Sequence, residues 1–309
     1  MQILDQNTPL KGIIPPMVTP FDTEGRVDIQ GVEKLVEHLI SGGVHGIFIL
    51  GTTGEFSSLD IAQKKELIAA TCKFVDGRIP VLVGVTDVCL KGCIALSKFA
   101  ESSGAYAVVA APPYYMGIDQ EELCLFYGQL ADNIPLPLFL YNMPSHTKVS
   151  IDVQTAVALS KHRNIIGLKD SSANGSYFQS LQYCFRDQPD FVLMVGPEEM
   201  LAETVLMGGY GGVCGGANLF PRLYVKLYQA ANDNNIVEII RLQKLVMSIS
   251  QKIYQHGGYK SSYLKGLKTA LSFLGIIQAQ FAPPLFPYDP NEEEELKVRF
   301  SKIASMILE

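Results

Sequence analysis

At 309 residues, 48% of them hydrophobic, the chain can bury a full core, which excludes intrinsic disorder and favours one large domain or two small ones. Its 25 basic and 31 acidic residues give a net charge of −6 without a basic face, which argues against nucleic acid as a partner. The start, MQILDQNTPLKG, lacks the basic and apolar regions of a signal peptide, and no charge-free apolar run of about 18 residues occurs, so the sequence predicts a soluble, cytoplasmic chain with no membrane partner.

Short, continuous, β-branched-rich apolar runs recur at 12–18, 46–50, 80–85, 105–111, 137–141, 165–168, 191–195 and 211–214. Runs without alternation suit strands buried on both faces, the mark of a parallel sheet. Between them lie stretches of helical period. In IQGVEKLVEHLI, for example, Val32, Leu35, Val36 and Leu39 share a face opposite Glu33, Lys34 and Glu37. Eight strand-then-helix units predict a (β/α)₈ TIM barrel, which takes about 250 residues. The open doubly wound sheet is the rival, but Pro15, Pro16 and Pro20 stand where its glycine-rich phosphate turn belongs. Beyond Pro221 the strand signals stop and helical patterns take over at 223–232, 236–254, 262–274 and 292–308. The expected division is a barrel over 1–222 and a C-terminal helical extension over 223–309.

Cysteine and histidine add little. Six cysteines are too sparse for a disulfide scaffold, and Cys72, Cys124 and Cys214 sit in apolar patterns where a thiol packs as a small hydrophobe. Cys89 and Cys93 share a helix face without further ligands, and no two of His38, His45, His146, His162 and His256 are spaced as i, i+4, so no metal site is expected. Nucleotide loops and the G-x-S-x-G elbow are also missing from the sequence.

In a barrel the chemistry stands at the C-terminal ends of strands, so those ends carry the candidate residues. The second run ends in Gly51-Thr52-Thr53-Gly54-Glu55, a loop whose N–H groups can face a carboxylate or phosphate, or can simply make a capped turn. Lys169 closes the sixth run: its amine either snorkels to water or sits in a dry pocket, where desolvation favours a neutral nucleophile able to form a Schiff base. Tyr141 ends the neighbouring fifth run and would share the same mouth as an acid/base group. The fourth run exits through Pro112-Pro113-Tyr114-Tyr115, two phenols that serve either chemistry or aromatic packing. Glu198 and Glu199, after the seventh run, suit a helix start somewhat better than substrate hydroxyls, and Glu292 to Glu295 read as a solvated helical turn.

With these residues in hand, the chain resembles the dihydrodipicolinate synthase and N-acetylneuraminate lyase family. GIFILGTTGEF (46–56) with Gln63, and Tyr141-Asn-Met-Pro through to Gly167-Leu-Lys-Asp-Ser, are similar to its two signatures; GIIPPMVTPF (12–21), the Pro-Tyr-Tyr segment and PPLFP (283–287) extend the likeness along the chain. The resemblance implies a TIM barrel assembled as a homotetramer, a dimer of dimers, that runs class I pyruvate chemistry with no cofactor or metal. It implies that Lys169 forms the imine and that Tyr141 donates and accepts protons. Thr52 would relay protons between Tyr141 and Tyr115, the latter reaching in from a partner subunit. Thr53 and the loop backbone, Gly51 included, would hold the pyruvate carboxylate, and the backbone at Gly196 and Val213 would line the pocket. His146 occupies the place where typical dihydrodipicolinate synthases have an arginine for the aspartate semialdehyde carboxylate, and an imidazole lacks that bidentate fork. Gly215 stands where sialate lyases have a serine. Lys169-Asp-Ser and Gly215-Gly-Ala-Asn are more similar to the branches that join or cleave pyruvate and a small aldehyde through a 2-keto-3-deoxy sugar acid or 4-hydroxy-2-oxo acid type of aldol, which is the favoured reaction. Aspartate semialdehyde, N-acetylneuraminate cleavage, an imine-dependent dehydration and a catalytically idle keto-acid sensor are the alternatives.

Overall fold

The computed structural model describes residues 9–308; residues 1–8, on which most of the signal-peptide reading falls, and residue 309 lie outside the described residues. Eight strands form one parallel sheet: β1 (Gly12–Ile13), β2 (Ile47–Ile49), β3 (Val81–Gly84), β4 (Ala107–Ala110), β5 (Leu138–Asn142), β6 (Ile165–Asp170), β7 (Val192–Val195) and β8 (Gly211–Gly212). Their order, β1-β8-β7-β6-β5-β4-β3-β2, is that of a barrel opened between its first two strands. The seam is closed just past β1, where Phe48 donates to the Pro15 carbonyl and accepts from Met17 N–H, at 2.9 and 2.8 Å.

The first strand is shorter than the run at 12–18 predicts. Pro15 and Pro16 have no N–H to give, so pairing there survives only as this isolated bridge. The eighth likewise shrinks to two glycines. A Cβ on Gly211 would lie 2.0 Å from the Gly12 carbonyl oxygen, so the β1–β8 contact closes only through bare backbone. Conversely, β6 runs two residues beyond its apolar run, and Lys169 belongs to the strand itself.

Helices alternate with the strands. Among them α1 (Ile29–Ser41) is capped by Asp28, and α2 (Ile61–Val75) by a box in which Asp60 and Gln63 satisfy each other's N–H groups. Gln63 also donates to the Gly25 carbonyl, so the residue that marked the first signature is a cap and a clasp. The outer layer continues with α3 (Leu90–Ser102), α4 (Gln120–Asn133), the single turn α5 (Pro144–Thr147), α6 (Val153–Leu159), α7 (Gly175–Phe185), α8 (Leu201–Leu206) and α9 (Pro221–Asn232). Then follow α10 (Ile236–Lys252), α11 (Ser262–Phe273) and α12 (Pro290–Leu308). The expected division after residue 222 falls inside α9.

Two hydrophobic cores result. One lies between sheet and helices. The other gathers Ile14, Phe48, Leu82, Val109, Phe139, Met194 and Val213 with Tyr141. Alternate strand residues supply it, which places it inside the barrel. Tyr141 pairs in register with Lys169, and Lys169 with Met194, so these side chains share the inward parity. The six cysteines are free; burial pushes the Cys93 thiol up to about 12 and the Cys72 thiol to about 11, as expected of packing groups. No helix among the described residues is long and apolar enough to cross a membrane.

Candidate active site

Lys169 is 6% exposed at the C-terminal end of the barrel interior. Its Nζ lies 4.0 Å from the centroid of the Tyr141 ring and 4.9 Å from that of Phe48, two aromatic faces set edge to face. Beneath it Ile14, Leu82, Val109, Phe139, Met194 and Val213 leave a space of only about 10 Å³, too small to keep the amine hydrated from below. The strand ends are braced by the next pair in register: Asn142 Nδ2 donates to Asp170 Oδ1 at 2.8 Å, Asn142 Oδ1 accepts from Ile151 N–H, and Ser172 Oγ donates to Asp170 Oδ2. Burial pushes the Asp170 carboxyl up against the pull of these donors.

The loop after β2 meets this pair. Thr52 Oγ1 and the Tyr141 hydroxyl are 3.2 Å apart, within hydrogen-bond reach. Two non-glycine residues bracket the loop in the left-handed region, Leu50 at φ 56° and Glu55 at φ 55°. Such backbone persists only where its surroundings hold it. Thr19 Oγ1 donates to the Gly54 carbonyl at 2.6 Å, and Gly54 N–H donates to the Gly51 carbonyl. Among the described residues, the Thr52 and Thr53 N–H groups donate to no protein acceptor, leaving two adjacent donors beside Lys169's neighbour Tyr141.

Residues the sequence reading passed over support the same loop. The Tyr263 hydroxyl, on α11, lies 3.2 Å from Thr53 Oγ1. Further along α11, the Lys268 ammonium donates to Glu55 Oε1 at 2.6 Å, with both side chains essentially inaccessible. Glu55 Oε2 accepts from Ala282 N–H at 2.9 Å. Burial lowers the Lys268 amine to about 8 against the opposing attraction of Glu55. The pattern of α11 gives no warning of this: Ser262, Lys265, Thr269 and Ser272 recur at helical spacing with Lys268 beside them, which reads as a solvated face, yet both lysines are buried.

A cavity of about 190 Å³ opens from the Tyr141–Thr52 pair, lined also by Phe56, Ser57, Thr86, Tyr114, Met143, His146 and Thr147. Hydroxyls dominate its polar lining. His146 is the one ionisable nitrogen there; partial burial and then Lys148 push it down, favouring the neutral imidazole. Lys148 itself donates to the Ser145 carbonyl. Tyr115 is not brought to Thr52 within the chain; it is 85% exposed, beside the exposed Met116. Val213 lines the space under Lys169, while the Gly196 N–H is spent on the Asp170 carbonyl at 2.6 Å. A Cβ at Gly196 would meet Ser171 Oγ at 2.0 Å, so backbone approaches side chain closely there.

Glu198 and Glu199 stand in the first turn of a short 3-10 helix, Glu198–Met200, that runs into α8, as expected, but their carboxylates do more than complement a dipole. Glu198 is buried and accepts from Gly216 N–H at 2.7 Å, the Tyr224 hydroxyl at 2.5 Å and the Tyr254 hydroxyl at 2.8 Å. Glu199 accepts from Ser250 Oγ. The partners sit on β8's exit loop and on or just after α9 and α10, far away in sequence, so a carboxylate that reads locally as dipole complement is a tertiary hub. Burial pushes the Glu198 carboxyl up to about 7.

A model of the Dihydrodipicolinate synthetase family matches residues 9–303. A solved structure of dihydrodipicolinate synthase from Bacteroides thetaiotaomicron is 49% identical, with a TM-score of 0.94, over 96% of this chain and 100% of that one. The Escherichia coli (strain K12) protein named "Putative 2-dehydro-3-deoxy-D-gluconate aldolase YagE" is 30% identical over 303 residues, 97% of this chain and 99% of its own. Its structure in complex with pyruvate superposes with a TM-score of 0.90 over 95% of this chain and 98% of that one. The 4-hydroxy-tetrahydrodipicolinate synthase of Thermus thermophilus is 31% identical over 290 residues, 93% of this chain and 94% of its own. With the barrel, the inward lysine and this match along nearly its whole length, the chain belongs to the dihydrodipicolinate synthetase family and is a class I pyruvate-dependent lyase.

Proposed function

We propose that the enzyme makes or breaks a carbon–carbon bond between pyruvate and a small hydroxylated aldehyde, a 2-keto-3-deoxy sugar acid or 4-hydroxy-2-oxo acid type of aldol. In the condensing direction the Lys169 amine adds to the keto carbon of pyruvate, and water leaves to give the protonated imine. A methyl proton passes to the Tyr141–Thr52 pair as the enamine forms, and the enamine carbon attacks the aldehyde. The aldehyde oxygen takes a proton from Tyr141, which recovers one through Thr52, and hydrolysis of the imine frees Lys169. The Thr52 and Thr53 N–H groups receive the pyruvate carboxylate.

The observation that carries this reading is the buried amine in register with Tyr141, itself within hydrogen-bond reach of Thr52. The uncharged lining of the cavity beside them supports a small neutral aldehyde, with the hydroxyls of Ser57, Thr86 and Tyr114 among its polar groups. A second reading, condensation with aspartate semialdehyde, is favoured by the 49% identity to the Bacteroides thetaiotaomicron synthase. His146, held toward its neutral form, weighs against it as a carboxylate clamp. We place the enzyme in the cytoplasm as a homotetramer of paired dimers; exposed Tyr115 and Met116 support a subunit contact at the site's rim.

Borohydride added with pyruvate should attach a reduced pyruvyl mass at Lys169, and Lys169→Ala should lose both label and turnover while retaining the fold. Labelling elsewhere, or unchanged turnover in the variant, refutes the imine. A panel of aldehydes then decides the second substrate: the highest kcat/KM with aspartate semialdehyde would overturn the sugar-acid reading.

A further inference from the structure

We infer that α11 sets the affinity for the keto acid: Lys268, through Glu55, and Tyr263, through Thr53, are positioning residues that hold the 51–55 loop in its carboxylate-receiving shape. This rests on the proposed function in taking the Thr52 and Thr53 N–H groups as the carboxylate's donors.

The loop does not hold itself. Internally, Gly54 N–H to the Gly51 carbonyl closes one tight turn, and Glu55 N–H donates to the Thr52 carbonyl at 3.1 Å. Its C-terminal corner is Glu55 in the left-handed region, a conformation that a side chain bearing a Cβ does not favour. That corner is clamped from outside the barrel. The Lys268 ammonium takes one carboxylate oxygen of Glu55 and Ala282 N–H takes the other, so the carboxylate is held at two points from two segments of the C-terminal region. The cation is itself caged, 4.4 Å from the Phe21 centroid and 5.0 Å from that of Phe281, which excludes water from the pair. Five residues earlier on the same helix, the Tyr263 hydroxyl meets Thr53 at 3.2 Å. One helix thus grips both the middle and the end of the loop, and a shift of α11 moves the two free N–H donors together.

A charged, dry pair is a strong clamp of this kind because its geometry is narrow and losing either partner strands a buried charge. An exposed ion pair would tolerate slack. The anion-binding loop therefore depends on a cation that never touches the anion.

The test is the pyruvate dependence of borohydride labelling at Lys169, with melting temperature read in parallel. In Lys268→Met and Glu55→Gln the pyruvate concentration for half-maximal labelling should rise about tenfold, the scale on which supporting partners tune a site, while labelling at saturation still reaches Lys169. Phe185→Leu, which loosens a ring stack with Phe191 remote from the loop, should lower the melting temperature without moving that concentration. If Lys268→Met does not fold, Lys268→Arg and Glu55→Asp keep the charges but misplace them, and the same rise is expected. Half-saturation within twofold of wild type in the folded variants overturns the inference. A wild-type chain that takes no label refutes the imine reading instead. Affinity is then read from the melting shift that pyruvate induces, where an equal shift in wild type and Lys268→Arg again overturns the role of α11.

Discussion

Gly215 offers a sharp test of how tightly the site's supports are packed. A Cβ at this position would lie 1.8 Å from the Tyr263 hydroxyl oxygen, 2.9 Å from its Cζ and 3.2 Å from its Cε2. Restoring ordinary contact requires the hydroxyl to retreat by about 1.6 Å, from 1.8 to 3.4 Å. The ring has little freedom, since Tyr254 packs edge-on against it with centroids 4.8 Å apart. The 3.2 Å link from Tyr263 to Thr53 would then be lost. Overpacking of this kind costs about 1–3 kcal/mol and a hydrogen bond about 1 kcal/mol, so Gly215→Ala should destabilise by about 2–4 kcal/mol. For a chain of 309 residues that is a fall in melting temperature of about 3–6 °C. Urea titration of wild type, Gly215→Ala, Tyr263→Phe and the double variant gives the cycle. With the hydroxyl removed, the nearest atom is Cζ at 2.9 Å, so the glycine substitution should cost at least ~1 kcal/mol less in that background. Additivity within ~0.5 kcal/mol, or a wild-type melt for Gly215→Ala, would show that the ring is free to move and refute the reasoning.

Tyr141→Phe should lower kcat by about 10²–10⁴ with an unaltered circular dichroism spectrum, because the proton donor is lost while the ring under Lys169 stays; near-normal turnover would remove it from proton transfer. Tyr115→Phe should slow turnover only if the phenol serves a second subunit, so refolding a mixture of Tyr115→Phe and Lys169→Ala chains should recover activity above the sum of the two, and no recovery places Tyr115 outside the relay. Glu198, raised from 4.5 to about 7 by burial, keeps its proton when folded at pH values where the unfolded chain has lost it. The stability it contributes is full below about pH 4.5 and falls as pH rises through 7, so melting temperature should decline across that window and Glu198→Gln should flatten the decline; an equal slope in both proteins would exclude Glu198 as its source.

The barrel was legible because strands buried on both faces must be apolar throughout, and that pattern survives in one dimension. The same property hid the inward parity: a run such as LFLYN shows no alternation, so only strand pairing reveals that Tyr141 and Lys169 face one another. Thr52 and Thr53 were legible through their glycines, and His146 through its place after Tyr141. Tyr263, Lys268 and the true partners of Glu198 were not, since each bond spans a long stretch of sequence and no local period encodes it. Tyr115 lies between: its sequence position is informative, but its exposed side chain finds no partner at Thr52 within this chain.

The expected division after residue 222 follows the end of the strands, yet the chemistry does not respect it. Cut there, the barrel would keep every residue expected to touch pyruvate and lose Tyr263, Lys268 and the Ala282 N–H that brace the 51–55 loop. It would also lose Tyr224 and Tyr254, leaving the buried Glu198 carboxylate with only the Gly216 N–H. The left-handed Glu55 corner and the acid in its apolar setting would each lose most of the partners that hold them. On the proposal above, the C-terminal helices take part in constructing the active site, through the hold of α11 on the 51–55 loop.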